Sequence, residues 1–226
     1  MAENDLFNIA IIGGTGKEGK GLAFRLAKAG HNIIIGSRIP SKAVETADEI
    51  IKQLSGNISI LGLSNEQAAR ACDIVILTIP YSAHRTTIEC IKNLVIGKLV
   101  IDVTVPLVPP KVSSVQMPSA GSAAQEAHQI LGDTVQLAAA FHNISHENLI
   151  GDEIELDCDV LVTGTSKDAR QKTLALVKSA GFYGWDAGPI ENSVVLEGLT
   201  SILIGINRKY GSTHAGIRIT GVIRED

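Results

Sequence analysis

Aromatic side chains are scarce: Phe, Trp and Tyr together make up 4% of the 226 residues. The core must then come from Ile, Leu, Val and Ala, which suits layered α/β packing. Cysteine is scarce too. Cys72, Cys90 and Cys158 are odd in number and far apart, so they form neither a disulfide framework nor a CxxC pair, and a reducing cytoplasm is the expected setting. Net charge is small, with 20 Lys+Arg against 24 Asp+Glu and a balance of −4. No basic block is present to neutralise many phosphates, which argues against nucleic-acid binding. Apolar runs such as Ile74 to Pro80 and Ile202 to Ile206 are far shorter than the ~20 residues of a spanning helix. Met1 to Phe7 carries acids where a leader would carry a basic stretch and an apolar run. No membrane segment and no secretory leader are therefore expected. What the chain does have is 45% hydrophobic residues, only 19% charged residues and 22 glycines, enough for a globular core with many tight turns.

The order of elements follows from hydrophobic periodicity. Asn8 to Gly13 reads as a strand ending in glycines, and Leu22, Ala23, Leu26 and Ala27 recur at helical spacing until Gly30. His31 to Gly36 is a second strand, and Pro40 and Ser41 open a helix with Ala43, Val44, Ala47, Ile50, Ile51 and Leu54 on one face. Further strands are expected at Ile58 to Leu61, Asp73 to Ile79 and Leu99 to Val103. Ser64 with Gln67 forms a capping box for a short helix, and Ile88, Ile91 and Leu94 mark another. Strands apolar on both faces need helices on both sides, so the fold class is α/β: a doubly wound, mostly parallel Rossmann sheet. Val105 to Pro118 reads as loop, and Ser122 to Leu131 as helix. Val135 to Phe141, Asp159 to Thr163, Asp168 to Ala180 and Phe182 to Asp186 extend the sheet as strand, strand, helix and strand. The expected division is 1–188 for the dinucleotide-binding domain and 189–226 for a small lobe built on an apolar helix, Val194 to Ile206.

Gly14, Gly16 and Gly19 form G-x-G-x-x-G between the first strand and the first helix. There a dinucleotide diphosphate would meet unpaired helix N–H groups. An NAD site places an acid at the end of the second strand to hold the ribose hydroxyls. This chain has Ser37 and Arg38 there, with Lys42 one helical turn on and Thr15 inside the glycine turn. An acid would repel a 2′-phosphate, whereas a guanidinium and a hydroxyl bind it, so NADP(H) is the expected cofactor.

The stretch GGTGKEGKGLAFRLAKAGHNIIIGSR, Gly13 to Arg38, closely resembles the opening of the coenzyme F420-dependent NADP oxidoreductases. The likeness continues through Cys72 to Pro80, Gly121 to Ala124 with Glu126, His142, Asp186 to Pro189, and Leu199 to Arg208 with Gly211, nearly the whole chain. The resemblance implies an enzyme moving a hydride reversibly between NADP(H) and coenzyme F420, an 8-hydroxy-5-deazaflavin arriving as a diffusible co-substrate. It further implies that Thr15, Ser37, Arg38 and Lys42 hold the 2′-phosphate, and that Thr78, Ile79 and Pro80 pass beneath the nicotinamide. Ala140 to His142, with Leu199 and Thr200 from the C-terminal lobe, would line the deazaflavin pocket. The segment His142 to His146 is more polar than the family pattern.

Other constellations carry less. His142 and His146 are four apart, but no third metal ligand is evident. His84 either reaches the nicotinamide end or caps its helix. With no GxSxG elbow and no activated cysteine, covalent catalysis has no support and no catalytic residue is singled out. An apolar shell of Ile79, Pro80, Val105 and Pro106 around two stacked rings would suffice, because the cofactors carry the chemistry. Alternatives on the same scaffold are an NADPH reductase of an imine, carbonyl or metal chelate, and a non-catalytic NADP(H) sensor. The apolar circumference of Val194 to Ile206 is wider than one core contact uses, so a homodimer is expected.

Overall fold

The computed structural model of the chain describes residues 6–54, 58–150 and 158–224; Met1 to Asp5, on which most of the leader expectation rests, lie outside them. Strand β1 (Asn8–Ile12) leads into helix α1 (Lys17–Lys28). Then come β2 (Asn32–Ser37), α2 (Pro40–Gln53), β3 (Ile60–Ser64), α3 (Asn65–Ala71), β4 (Ile74–Leu77), α4 (Tyr81–Ile91) and β5 (Leu99–Asp102). A long loop precedes α5 (Ala123–Leu131), followed by β6 (Gln136–Ala139), β7 (Asp159–Gly164), α6 (Lys167–Ser179), β8 (Tyr183–Pro189) and α7 (Ser193–Tyr210).

The eight strands form one sheet in the order β3-β2-β1-β4-β5-β6-β7-β8. All neighbours run parallel except β6 and β7. The strands alternate between two apolar layers. Ile9 and Ile11 of β1 pack with Leu22 and Leu26 of α1, in a layer that also takes Ala43, Ala47 and Ile50 of α2 and Leu176 and Val177 of α6. Ala10 and Ile12 face the opposite way, toward Ala68 and Ala69 of α3, Ile88 and Ile91 of α4, and Ala124 and Ala127 of α5. This two-sided burial explains the uninterrupted apolar runs, each fully buried aliphatic side chain contributing about 1.5–3 kcal/mol.

Boundaries shift for identifiable reasons. Strand β3 begins two residues later than expected and runs to Ser64, because its register against β2 pairs Ile33 with Ile60 and Ser37 with Ser64. Strand β6 stops at Ala139 because Phe141, with φ of 68°, turns the chain out of extended geometry. Helix α7 continues past Ile206 to Tyr210, where Gly211 at φ 67° ends it. The C-terminal segment is bound to the rest of the chain at both ends. Glu197 of α7 accepts the N–H groups of Ala123 and Ala124 at 2.7 and 3.0 Å, capping α5 from outside its own sequence. The tail runs back to Asp159, whose carboxylate accepts Trp185 Nε1–H and Ile219 N–H, each at 2.8 Å, and is paired with Arg224.

Candidate cofactor site

The strand order reverses between β1 and β4, and a crevice opens there at the C-terminal ends of the strands, as the topology of a doubly wound sheet requires. Its first wall is the glycine turn. Gly13 and Gly14 donate their N–H groups to the Gly36 carbonyl at 3.1 Å, tying the turn to β2. A Cβ on Gly19 would lie 2.6 Å from Gly14 Cα, so these two glycines let α1 press against the turn. A Cβ on Gly16 would meet nothing closer than 3.6 Å, which leaves the backbone there open to a ligand. Helices α3, α5 and α6 are capped by Ser64, Ser122 and Ser166, whereas α1, like α2, α4 and α7, has no side-chain cap among the described residues. Its first turn, with Lys17 and Glu18, lies on the wall of a cleft of about 730 Å³. A diphosphate fits that uncapped end.

Ser37, Arg38 and Lys42 line the adenosine end of the cleft. Ser37 Oγ accepts the Ile39 N–H at 3.1 Å, which leaves its own hydrogen to donate. Among the described residues neither the Arg38 guanidinium nor the Lys42 ammonium has a hydrogen bond or ion pair, so two cations and a hydroxyl converge on a place with no internal anion. Asn65 Oδ1, buried and without a partner among the described residues, is on the same wall. Such groups fit a 2′-phosphate and a ribose, and they supply charge-assisted hydrogen bonds to them.

The other end is formed by Thr78, Ile79 and Pro80 after β4, Val105 after β5, His142 after β6, and Thr200 of α7. A second hollow of about 500 Å³ adjoins it and shares Glu18, His142, Ile144 and Thr200. Phe141 holds its left-handed backbone while buried and edge-on to Phe182, with ring centroids 6.2 Å apart. A bulky residue in that conformation costs about 1–3 kcal/mol and persists only where packing fixes it. The bend carries His142 across the end of the sheet. Thr200 Oγ1 donates to the His142 carbonyl at 2.6 Å, joining α7 to this loop. Burial pushes the His142 imidazole down to about 4, against the Asp102 charge and the Thr104 carbonyl. The ring is therefore neutral at pH 7, and among the described residues neither ring nitrogen is within hydrogen-bond geometry of a partner, which leaves both available to a ligand.

The cleft therefore gathers Thr15, Gly16, Ser37, Arg38, Lys42, Thr78, Ile79, Pro80, Val105, His142 and Thr200. Gly14 and Gly19 shape the turn from behind, and Ala140 and Leu199 are not on the wall. His84 is a correction: it neither reaches the nicotinamide end nor caps α4. It is fully buried, with Nε2 2.7 Å from Asp102 Oδ2 and Nδ1 3.5 Å from Glu126 Oε1. Burial alone would lower its pKa, but the two carboxylates outweigh it and raise it. Asp102 Oδ1 accepts the Thr104 N–H at 2.9 Å, so the pair pins the loop that forms the wall after β5. His142 and His146 do not share a helical face, since His146 starts a separate 3₁₀ turn and lies 3.2 Å from Glu147. Sequence reasoning missed Glu18, Asn65 and Asp102. The acid closing the apolar strand Leu99 to Asp102 was a visible signal for the last of these.

Residues 8–106 match the family described as NADP oxidoreductase, coenzyme F420-dependent. The chain is 40% identical over 221 residues to the F420-dependent NADP reductase of Methanocaldococcus jannaschii, covering 95% of this chain and 98% of the relative. It is 38% identical over 225 residues to that of Methanothermobacter marburgensis, covering 95% and 98%. The solved structure of an Arthrobacter sp. FB24 protein, to which an F420-dependent NADP reductase role is ascribed, superposes with a TM-score of 0.81 at 19% identity. It covers 95% of this chain and 99% of its own. A pyrroline-5-carboxylate reductase from Coxiella burnetii follows at a TM-score of 0.61 and 18% identity, over 91% of this chain and 69% of that one. At such identities the two structures show a shared fold.

Proposed function

Because the chain belongs to the coenzyme F420-dependent NADP oxidoreductases, we propose that its cleft holds both cofactors at once, nicotinamide against deazaflavin. It is an NADP-dependent oxidoreductase that transfers a hydride reversibly between NADP(H) and coenzyme F420. Each cofactor supplies its own redox chemistry when bound, hydride donation from the dihydronicotinamide and acceptance by the deazaflavin ring.

The observation that carries the stacked arrangement is the continuity of the two hollows through Glu18, His142, Ile144 and Thr200. Thr15, Ser37, Arg38 and Lys42 hold the phosphorylated adenosine, and Gly16 and the start of α1 receive the diphosphate. Ile79 and Val105 exclude water from one side of the reacting rings. His142 and Thr200 approach from the other, and residues 189–226 complete that side through α7. Holding two reactants about 3–3.5 Å apart supplies much of the rate by itself. In the test, NADPH and coenzyme F420 are mixed with the protein while the oxidised deazaflavin absorbance is followed at varied concentrations of both. Loss of absorbance with intersecting double-reciprocal plots is expected. Parallel plots, which signal a stored intermediate, overturn the stacked arrangement.

A homodimer in the cytoplasm belongs to the same proposal. Helix α7 buries Leu196 and Leu203 inward, yet Val195 is 60% and Ile202 51% exposed, with Ile206 continuing the same stripe. Such a stripe matches a second copy of itself. Sedimentation of the wild type is expected to give a dimer, and Ile202→Glu a monomer. A wild-type monomer at every concentration overturns this assignment.

A further inference from the structure

NADPH delivers a hydride and no proton, so reducing a neutral acceptor consumes one proton from elsewhere: NADPH, acceptor and H⁺ give NADP⁺ and the reduced acceptor. A group at the junction of the two hollows must either carry that proton or let water do so. We propose that Glu18 is the acid that supplies it. The proposal rests on the functional reading above and adds a catalytic residue to it.

Glu18 occupies the second position of α1, inside the glycine motif, and lines both hollows. The loop after β6 folds over it. Leu149 lies on α1 so closely that a Cβ on Gly21 would be 2.4 Å from Leu149 Cβ, and Arg25 holds the Leu149 and Asn148 carbonyls at 3.0 and 2.9 Å. Under this cover Glu18, half-buried as a whole, has its Oε1 shielded from solvent and without a hydrogen-bond partner among the described residues. Desolvation disfavours the ionised form, and burial pushes the Glu18 carboxyl up to about 8. At neutral pH it holds a proton beside the place where one is needed.

The neighbouring groups are poorer donors. On the same loop His142 has its pKa lowered to about 4 and carries no spare proton at pH 7, while His146 lines only the second hollow, 3.2 Å from Glu147. Tyr81 donates to Glu126 at 3.2 Å and its phenol is raised further, first by burial and then by that carboxylate. Lys17 precedes Glu18 on α1, Arg38 and Lys42 stand at the adenosine end, and Arg208 of α7 lies on the second hollow. In the step itself the Glu18 O–H bond breaks as an N–H bond forms on the acceptor, and the carboxylate regains its proton from solvent. In the reverse direction it accepts the same proton.

The experiment combines infrared titration of the ligand-free protein with kinetics of Glu18→Gln. The wild type is expected to show protonated carboxylic acid absorption that titrates near 8 from Glu18 and from Glu197, whose carboxyl burial also pushes up to about 8, and Glu18→Gln is expected to lose the Glu18 share of it while Glu197→Gln retains that share. Turnover of NADPH with F420 by the wild type is expected to fall as pH rises through that midpoint. Glu18→Gln is expected to lose ~100-fold or more in kcat, to lose that alkaline limb, and to keep its NADPH affinity. A Glu18 that is ionised at neutral pH overturns the proposal with no acceptor involved. A wild type that leaves F420 unreduced overturns the functional reading and the acid role together. An active wild type matched by Glu18→Gln overturns the acid role alone.

Discussion

Asp102→Ala is expected to lower the unfolding free energy by about 3–5 kcal/mol, because it strands the wholly buried His84 beside Glu126 without its principal counter-charge. His84→Ala should cost a similar amount by stranding the carboxylate. The double variant should lose clearly less than the sum, since neither charge is then left unpaired. Urea unfolding of the four proteins measures this, and an Asp102→Ala variant within about 1 kcal/mol of wild type would show that the pair adds nothing. The pH dependence has a definite sign. Burial opposes ionisation of both groups, yet their mutual attraction raises His84 above 6.5 and lowers Asp102 below 3.8. The raised histidine contributes stability that is complete below 6.5 and fades as pH climbs through its folded value. The lowered aspartate contributes stability that is complete above 3.8 and fades as pH falls through its folded value. The wild type should therefore exceed the double variant most clearly between those two ordinary values, with the margin narrowing on both sides.

Arg38→Ala is expected to weaken NADPH binding by roughly 10- to 100-fold and to leave NADH binding nearly unchanged. One charge-assisted hydrogen bond is worth about 1.5–3 kcal/mol, and each 1.4 kcal/mol is about a factor of ten. The selectivity follows from position. Arg38 stands beyond the end of β2, exposed and with its side chain unpartnered among the described residues, where the proposed site puts the 2′-phosphate that distinguishes the two dinucleotides. Lys42 would retain part of the attraction, which bounds the loss. Titration calorimetry with both nucleotides gives the comparison, and equal losses for NADPH and NADH would show that Arg38 supports the turn itself. Because the interaction is exposed, the difference should shrink as salt is raised.

Much of the scaffold was legible because local chemistry and tertiary demand agree. The β-branched runs of Asn8 to Ile12 and Ile74 to Leu77 have no polar face to spare, and that alone requires cover on both sides. Ser64 and Gln67 satisfy each other within one turn, so their capping box needs no distant partner. The glycine motif and the absence of an acid after β2 likewise specify a dinucleotide and its phosphate from neighbours a few residues apart. Where those conditions fail, the sequence is silent. The end of β6 was misplaced because nothing local announces that packing against Phe182 will hold Phe141 at positive φ. His84 looked like a cleft residue from its place after Pro80, but helical rotation turns it inward to Asp102, a partner 18 positions away. Glu197 caps a helix 73 residues earlier, a role no cap pattern could reveal. Glu18 is the clearest case. By sequence it is an ordinary acid in the first turn of a helix, where the dipole favours a carboxylate. Only the loop after β6, folded across α1 by Arg25 and Leu149, shields its Oε1, and burial raises its pKa. Local patterns determined the elements, their order and the cofactor's phosphate, because short-range sterics and charge decide those. Tertiary structure decided which polar groups lose their solvent, because desolvation depends on every segment that packs around a group and not on the one that carries it.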